Sequence, residues 1–169
     1  MERSTRQPKT SMDFFDVAMT TPAVRDFSER ALDDRTIERI LETANMAPSG
    51  SNAQPWEFIV IRNPSTKQQL QRLYSELWES YKARAIIKGR SSLSPRAQRA
   101  LSAGDTFTAA LLRVPVQIVI VLNRPRARID RGSEMDRVYP ASVYGSVFPA
   151  VELMMLAARA LGVGTARLA

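Results

Sequence analysis

Three stretches of this chain carry residue types that could do chemistry. The first is Ala47-Pro48-Ser49-Gly50-Ser51-Asn52-Ala53-Gln54-Pro55-Trp56, a run of small polar and turn-forming residues. Hydroxyls and amides both donate and accept hydrogen bonds, so such a loop suits gripping a flat polar ring. The second is Thr20-Thr21-Pro22-Ala23-Val24-Arg25-Asp26-Phe27. Its Arg25 keeps its charge in any surroundings, and a fixed cation stabilises negative charge arising on a bound group. The third runs from Ser146 to Thr165 and ends in Leu161-Gly162-Val163-Gly164-Thr165.

The residues that are missing narrow the chemistry further. The chain has no cysteine and no histidine. That removes disulfides, thiolate and imidazole metal sites, cysteine nucleophiles and the usual base near neutral pH. Any reaction then relies on carboxylates for proton transfer or on a bound cofactor. No metal site is expected, and no side chain stands out as catalytic in its own right.

The pattern around these stretches supplies the elements that must position them. Residues 1–10 read as a disordered lead, and residues 11–169 as a single domain of a size that buries a respectable core. Ser11 can cap a first helix running to about Thr20, with Asp13 in its first turn. Asp33 can cap a second, on which Ile37, Ile40, Leu41 and Ala44 share one face. Pro48 stops that helix, and Gly50 suits the turn beyond it. Phe58-Ile59-Val60-Ile61 is apolar on both faces and reads as a central strand. Asn63-Pro64 opens a third helix with a stripe of Leu70, Leu73, Tyr74, Leu77, Trp78 and Tyr81. Residues 84–104 are weakly patterned and read as a lid or a short helix around Arg96 to Leu101. Val116 to Leu122 is a second buried strand, and Arg124 to Arg137 a charged loop. Ser146 to Leu161 is a helix apolar almost all round, expected in the centre or at a subunit interface. Helices and strands mix without strict alternation, which favours an α+β fold.

The net charge of +7 comes with 20 arginines among 24 basic residues. Nucleic acid would use that charge, but no recognition motif accompanies it. A phosphate-bearing small molecule fits it as well. The polar N-terminus lacks an apolar signal core, and Glu152 and Arg159 interrupt the most apolar run. The expectation is a cytoplasmic protein that binds neither nucleic acid nor membrane.

Pro-Ser-Gly alone would be a helix stop and a turn, with Trp56 filling core. With Asn52, Gln54, Pro55 and Trp56 at this spacing, the stretch resembles the flavin-contacting loop P-S-[SG]-x-N-x-Q-P-W of the FMN-dependent nitroreductase family. Arg25 and Phe27 fall in register with the family's N-terminal R-x-S-x-R-x-F. Alone, Arg25 would be read as a surface residue pairing with Asp26 or Glu29. Ser146 to Thr165 is similar to the family's S-V-x-P-A-V-x-N-L-L-L-A-A-R-A-L-G-L-G-T segment. The matches keep the family's order and span residues 20 to 165.

The resemblance implies a nitroreductase-like fold, with a central mixed or antiparallel sheet flanked by helices, in a homodimer with two FMN sites at its interface. Each site would take Arg25 from one subunit and the loop Pro48 to Asn52 from the other. It implies cofactor contacts at Thr21, Arg25, Pro48, Ser49, Gly50, Asn52 and Thr165. Arg25 would face the anionic N1 and O2 edge of the reduced ring. Thr21 stands where the family usually has a phosphate-binding Arg, Ala23 where it often has Ser, and Leu153 where Asn is frequent. The implied donor is NADH or NADPH and the implied acceptor a nitroaromatic, a quinone or a similar small molecule. Nitroreductases normally continue past the G-x-G-T turn with a further strand, a basic segment and a C-terminal extension, whereas this sequence stops at Ala169. A flavin-binding or storage protein without substantial turnover is the alternative.

Overall fold

The computed structural model describes residues 12–88, 93–127 and 139–168. Their elements, in chain order, are α1 (Phe14–Met19), α2 (Asp34–Asn45), a 3-10 turn (Gly50–Asn52), β1 (Trp56–Ile61), α3 (Pro64–Lys88), α4 (Pro95–Ala110), β2 (Gln117–Leu122) and α5 (Tyr139–Ala160). The chain divides into two compact units. One holds α1, α2, the 3-10 turn and α5. The other holds residues 24–33 and everything from Trp56 to Leu122.

In the first unit α5 is the hub, packing against α1, α2 and the 3-10 turn. Val17 of α1, Ile37, Ile40 and Ala44 of α2, and Val143, Ala150, Val151, Met154 and Ala158 of α5 are buried. The apolar spacing on α2 thus marks its inward face as expected. α1 begins later than its sequence suggests. Asp13 rather than Ser11 is its cap, accepting from the Phe15 N–H at 2.9 Å. An aspartate immediately before the helix offers a carboxylate to the free amides of the first turn. α5 begins seven residues before Ser146 and contains Pro149. It closes as the sequence predicts. Gly162 takes φ +73°, its N–H donates to Arg159 O at 2.9 Å, and the Val163 N–H donates to Ala158 O at 2.8 Å. These paired bonds satisfy the last carbonyls and require the left-handed residue that glycine supplies.

By length and composition alone, Ala141–Ala160 of α5 is long and apolar enough to cross a membrane. Glu152 and Arg159, read from the sequence as interrupting this run, do not shorten it below that length. Its buried face packs on α1 and α2, and Glu152 and Arg159 lie within it.

In the second unit β1 and β2 pair antiparallel, with Trp56 opposite Leu122 and Ile61 opposite Gln117. Among the described residues this sheet has two strands. β1 is therefore not a central strand. With no third strand beside the pair, Ile59 and Val60 remain partly exposed, and β2 is half-buried rather than buried. Asn63 caps α3 as expected, its Oδ1 accepting from the N–H groups of Ser65 and Thr66 at 3.0 and 3.1 Å. The α3 stripe divides. Leu70, Tyr74 and Trp78 are half-buried, while Leu73, Leu77 and Tyr81 face outward. The described part of the weakly patterned stretch folds into the end of α3 and the first ten residues of α4, which Ser94 caps through the Ala97 N–H. The short helix expected around Arg96 is thus sixteen residues long. The N-terminal lead and most of the charged loop Arg124 to Arg137 lie outside the described residues.

α3 and α4 meet where Trp78 lies on Gly104. Trp78 Nε1 donates to Asp105 Oδ1 at 2.8 Å, and Lys82 Nζ reaches Asp105 and Glu79, each at 2.8 Å. Hydrogen bonds from Lys82 and then Trp78 hold the Asp105 carboxyl below its ordinary pKa. The bond to Asp105, followed by that to Glu79, raises Lys82. A Cβ at Gly104 would overlap the Trp78 ring. Gly104→Ala should therefore force α3 from α4 and cost about 1–3 kcal/mol. A melting curve unchanged from wild type would remove this close approach from the account.

Candidate functional site

The loop after α2 is held by its own hydrogen bonds. Asn52 N–H donates to Ser49 O and Ala53 N–H to Gly50 O, both at 3.0 Å. Gln54 N–H donates to Ser49 Oγ at 2.9 Å, and Gln54 Nε2 to Asn45 O at 3.3 Å. Gly50 N–H donates to Ser146 Oγ at 3.2 Å, and that hydroxyl donates in turn to Ser142 O at 3.2 Å. The loop is thereby fixed to the first half of α5.

Its backbone is unusual. Ser51, Asn52 and Gln54 have φ of 52°, 51° and 44°, and among the described residues no other non-glycine has a positive φ. Left-handed residues of this kind concentrate where a structure holds a ligand. Gly50, which the sequence marks for the turn, is not among them. A Cβ there would meet Ser146 Oγ at 3.8 Å, an ordinary contact. Pro48 is exposed and Ser49 half-buried. The Asn52 amide is exposed, with no side-chain hydrogen bond among the described residues, so its donor and acceptor are available.

Two further predicted contacts lie at the other end of α5. Ala23 and Thr165 form a parallel bridge, which joins the segment after α1 to the turn after α5. Thr21 Oγ1 donates to Val17 O at 2.6 Å. Arg159 clamps the same corner, its Nε and Nη2 donating to Thr20 Oγ1 at 3.2 and 3.0 Å. From Ser146 to Arg159 is thirteen residues of helix, roughly 20 Å at 1.5 Å per residue. A single chain therefore does not bring Pro48, Ser49, Gly50 and Asn52 together with Thr21 and Thr165.

Arg25 belongs to the second unit. It is exposed, and its Cζ lies 5.0 Å from the ring centroid of the buried Phe107. Nη1 donates to Val24 O at 3.3 Å. It does not pair with Asp26 or Glu29. The ring holds it instead, through a cation–π contact of about 0.5–1 kcal/mol for an exposed site.

Sequence reasoning missed three supports: Ser146 as the loop's anchor, Arg159 as the clamp on Thr20, and Phe107 under Arg25. Ser146 and Arg159 lie inside the apolar helix, where their polarity was a readable signal. Phe107 lies in α4, just beyond the weakly patterned stretch, and nothing local marks it. Among the described residues no group of acidic side chains could hold a metal ion.

The helices and the small antiparallel sheet make an α+β fold. Residues 19–167 match the sequence model of the Nitroreductase family, and the chain belongs to that family. It is 30% identical over 117 residues to an iodotyrosine deiodinase of Haliscomenobacter hydrossis, covering 69% of this chain and 50% of that protein. It is 35% identical over 88 residues to the iodotyrosine deiodinase of Hydra vulgaris, covering 52% and 32%. The chain thus spans half or less of the length of these relatives. The fold is that of solved nitroreductase-like proteins. An iodotyrosine deiodinase bound to FMN and 3-iodo-L-tyrosine superposes with a TM-score of 0.67 at 21% identity, covering 93% of this chain and 74% of that one. A BluB-like flavoprotein of Clostridium difficile 630 gives 0.63 at 21%, covering 91% and 73%.

The hydroxyl of Ser146 gives a direct test of the loop's anchorage. Ser146→Ala removes the acceptor of the part-buried Gly50 N–H, at a cost of about 0.5–1.5 kcal/mol. Hydrogen exchange at Gly50 should quicken while exchange in α3 stays unchanged. Equal protection at Gly50 in both proteins would show that the bond does not hold the loop.

Proposed function

We propose that this chain works as a homodimeric flavin-dependent oxidoreductase of the cytoplasm. FMN is its cofactor, NADH or NADPH its electron donor, and a nitroaromatic, a quinone or a similar small molecule its acceptor. The observation that carries this reading is the loop Pro48 to Gln54 with its three left-handed residues, in a chain of the Nitroreductase family. The residues present fit a flavin. The free Asn52 amide suits the polar edge of the ring, and Arg25, which has no carboxylate partner among the described residues, suits the edge that becomes negative. Bound FMN supplies the two-electron chemistry that a chain without His and Cys lacks.

The homodimer is supported by the length and surface of α5. The loop docks near Ser146 and the Thr21–Thr165 corner near Arg159, so one chain's loop meets the other's corner only if two copies of α5 run side by side. On that helix the stacked rings of Tyr144 and Phe148 are about half exposed. Arg167 lies over Phe148, with Cζ 5.3 Å from the ring centroid. A helix apolar on nearly all sides favours a second partner for such a face.

A second acceptor class is a halogenated aromatic, favoured by the 30% identity to an iodotyrosine deiodinase over 69% of the chain. The purified protein, loaded with FMN, should run as a dimer on gel filtration. It should oxidise NADH or NADPH when a nitroaromatic or quinone is present. Iodide release from 3-iodotyrosine under reducing conditions would assign it to the second class. A yellow protein without turnover on any acceptor would mark a storage role, and one that takes up no FMN would end the proposal.

Arg25→Ala and Asn52→Ala each remove one hydrogen-bonding group from the cofactor. Each should weaken FMN binding roughly 3- to 10-fold, the equivalent of about 0.7–1.4 kcal/mol. Calorimetry giving wild-type affinity for either variant would remove that residue from the site.

A further inference from the structure

We propose that Phe107 and Arg113 are positioning residues for Arg25: the Phe107 ring fixes the guanidinium, and Arg113 holds the Asp26 carboxylate away from it. The inference deepens the FMN reading and rests on it for the identity of the anion.

Arg25 lies next to an acid in sequence, and a free Asp26 would be its nearest counter-charge. Asp26 is engaged elsewhere, since its Oδ1 lies 3.6 Å from Nη2 of Arg113, in the segment between α4 and β2. Both partners are well exposed, so the pair adds little to stability. Its consequence is electrostatic. Among the described residues Arg25 has no carboxylate partner, and its positive charge is left for a ligand.

The ring beneath it is itself braced. Phe107 is buried, the Tyr74 ring meets it edge-on at 6.1 Å, and the Phe27 ring lies tilted against it at 6.2 Å. A guanidinium held over a buried, packed ring gives up fewer rotamers when it binds an anion than one on a free stem. α3 contributes Tyr74, α4 contributes Phe107, and residues 24–33 contribute Arg25, Asp26 and Phe27. All of these belong to one unit. An Asp26 released from Arg113 would compete with the ligand for Arg25 and repel a phosphate-bearing cofactor as well.

The test has one arm that needs no cofactor. In the FMN-free protein the Nε–Hε NMR resonance of Arg25, assigned by its loss in Arg25→Lys, should carry a ring-current shift. Phe107→Leu should return it to the position of free arginine. Arg113→Gln should move it as Asp26 turns toward it, and Asp26→Asn in the same chain should move it back. An Arg25 resonance already at the free-arginine position in the wild type, or one unmoved by Arg113→Gln, would overturn the inference. Phe107 is buried and its variant may not fold; Arg113 is exposed, so its arm decides without it.

The second arm is FMN affinity. Arg113→Gln should weaken it 3- to 10-fold, Asp26→Asn alone should change it less than 2-fold, and the double variant should return to within 2-fold of wild type. A double variant as weak as Arg113→Gln would show that Arg113 acts through general charge, which overturns the proposal. If the wild type binds no FMN, the functional reading fails, and the NMR arm still decides the positioning.

Discussion

A single long helix sets the geometry on which everything else depends. α5 is apolar over most of its circumference and has to bury what it can. One chain offers it α1, α2 and the loop after α2. The loop is attached near one end of the helix by Gly50 and Ser146, and the Thr20–Thr21 segment near the other by Arg159. About 20 Å of helix therefore lies between two groups of residues that the sequence places in one site. A spacer of that length keeps the two groups apart within one chain. The paired Gly162 and Val163 bonds keep the spacer from fraying where the Thr165 turn begins.

Preorganisation explains why the loop can afford three left-handed residues. Each carries a backbone cost that persists only where the surroundings over-determine the conformation. Here the bonds from Asn52, Ala53 and Gln54 back to Ser49 and Gly50 close the turn, and Ser146 holds it from outside. The backbone donors of Asn52, Ala53 and Gln54 are then spent internally, and that of Gly50 on Ser146. What it presents outward are side chains, above all the Asn52 amide. Recognition by such a loop depends on where those side chains point, and its scaffold is settled before any ligand arrives.

Much of this was legible from residue types alone. Proline at the first position of α3, the spacing of Ile37, Ile40 and Ala44, and Gly162 at the end of α5 each act through a local mechanism, and each came out as read. The misses are of another kind. Phe58 to Ile61 is apolar on both faces, which fits a central strand, yet among the described residues β1 has one neighbour. Local pattern reports what a strand could bury and not what is present to cover it. The α3 stripe failed likewise, because Leu73 and Leu77 share a helical face that no element of their own chain occupies among the described residues. At the site the loop was readable from its motif, while Ser146 was seen only as part of a buried helix. Its role depends on a contact across ninety-six positions, which no window of sequence contains.

The net charge shows the same limit in electrostatic form. A sum of +7 says how the chain behaves at a distance, and it suits nucleic acid and small phosphates equally. Chemistry at a site depends on which charges are left over locally. Lys82 is spent on Asp105 and Glu79, and Arg113 on Asp26, so neither is a free cation. Arg159 is tied to a hydroxyl and Arg25 to an aromatic face, and neither of those partners cancels a positive charge. An arginine held by a ring keeps its full charge and loses its freedom, and those are the two properties an anion-stabilising group needs. The composition that pointed loosely toward phosphates becomes specific only once the carboxylates beside these cations have been assigned.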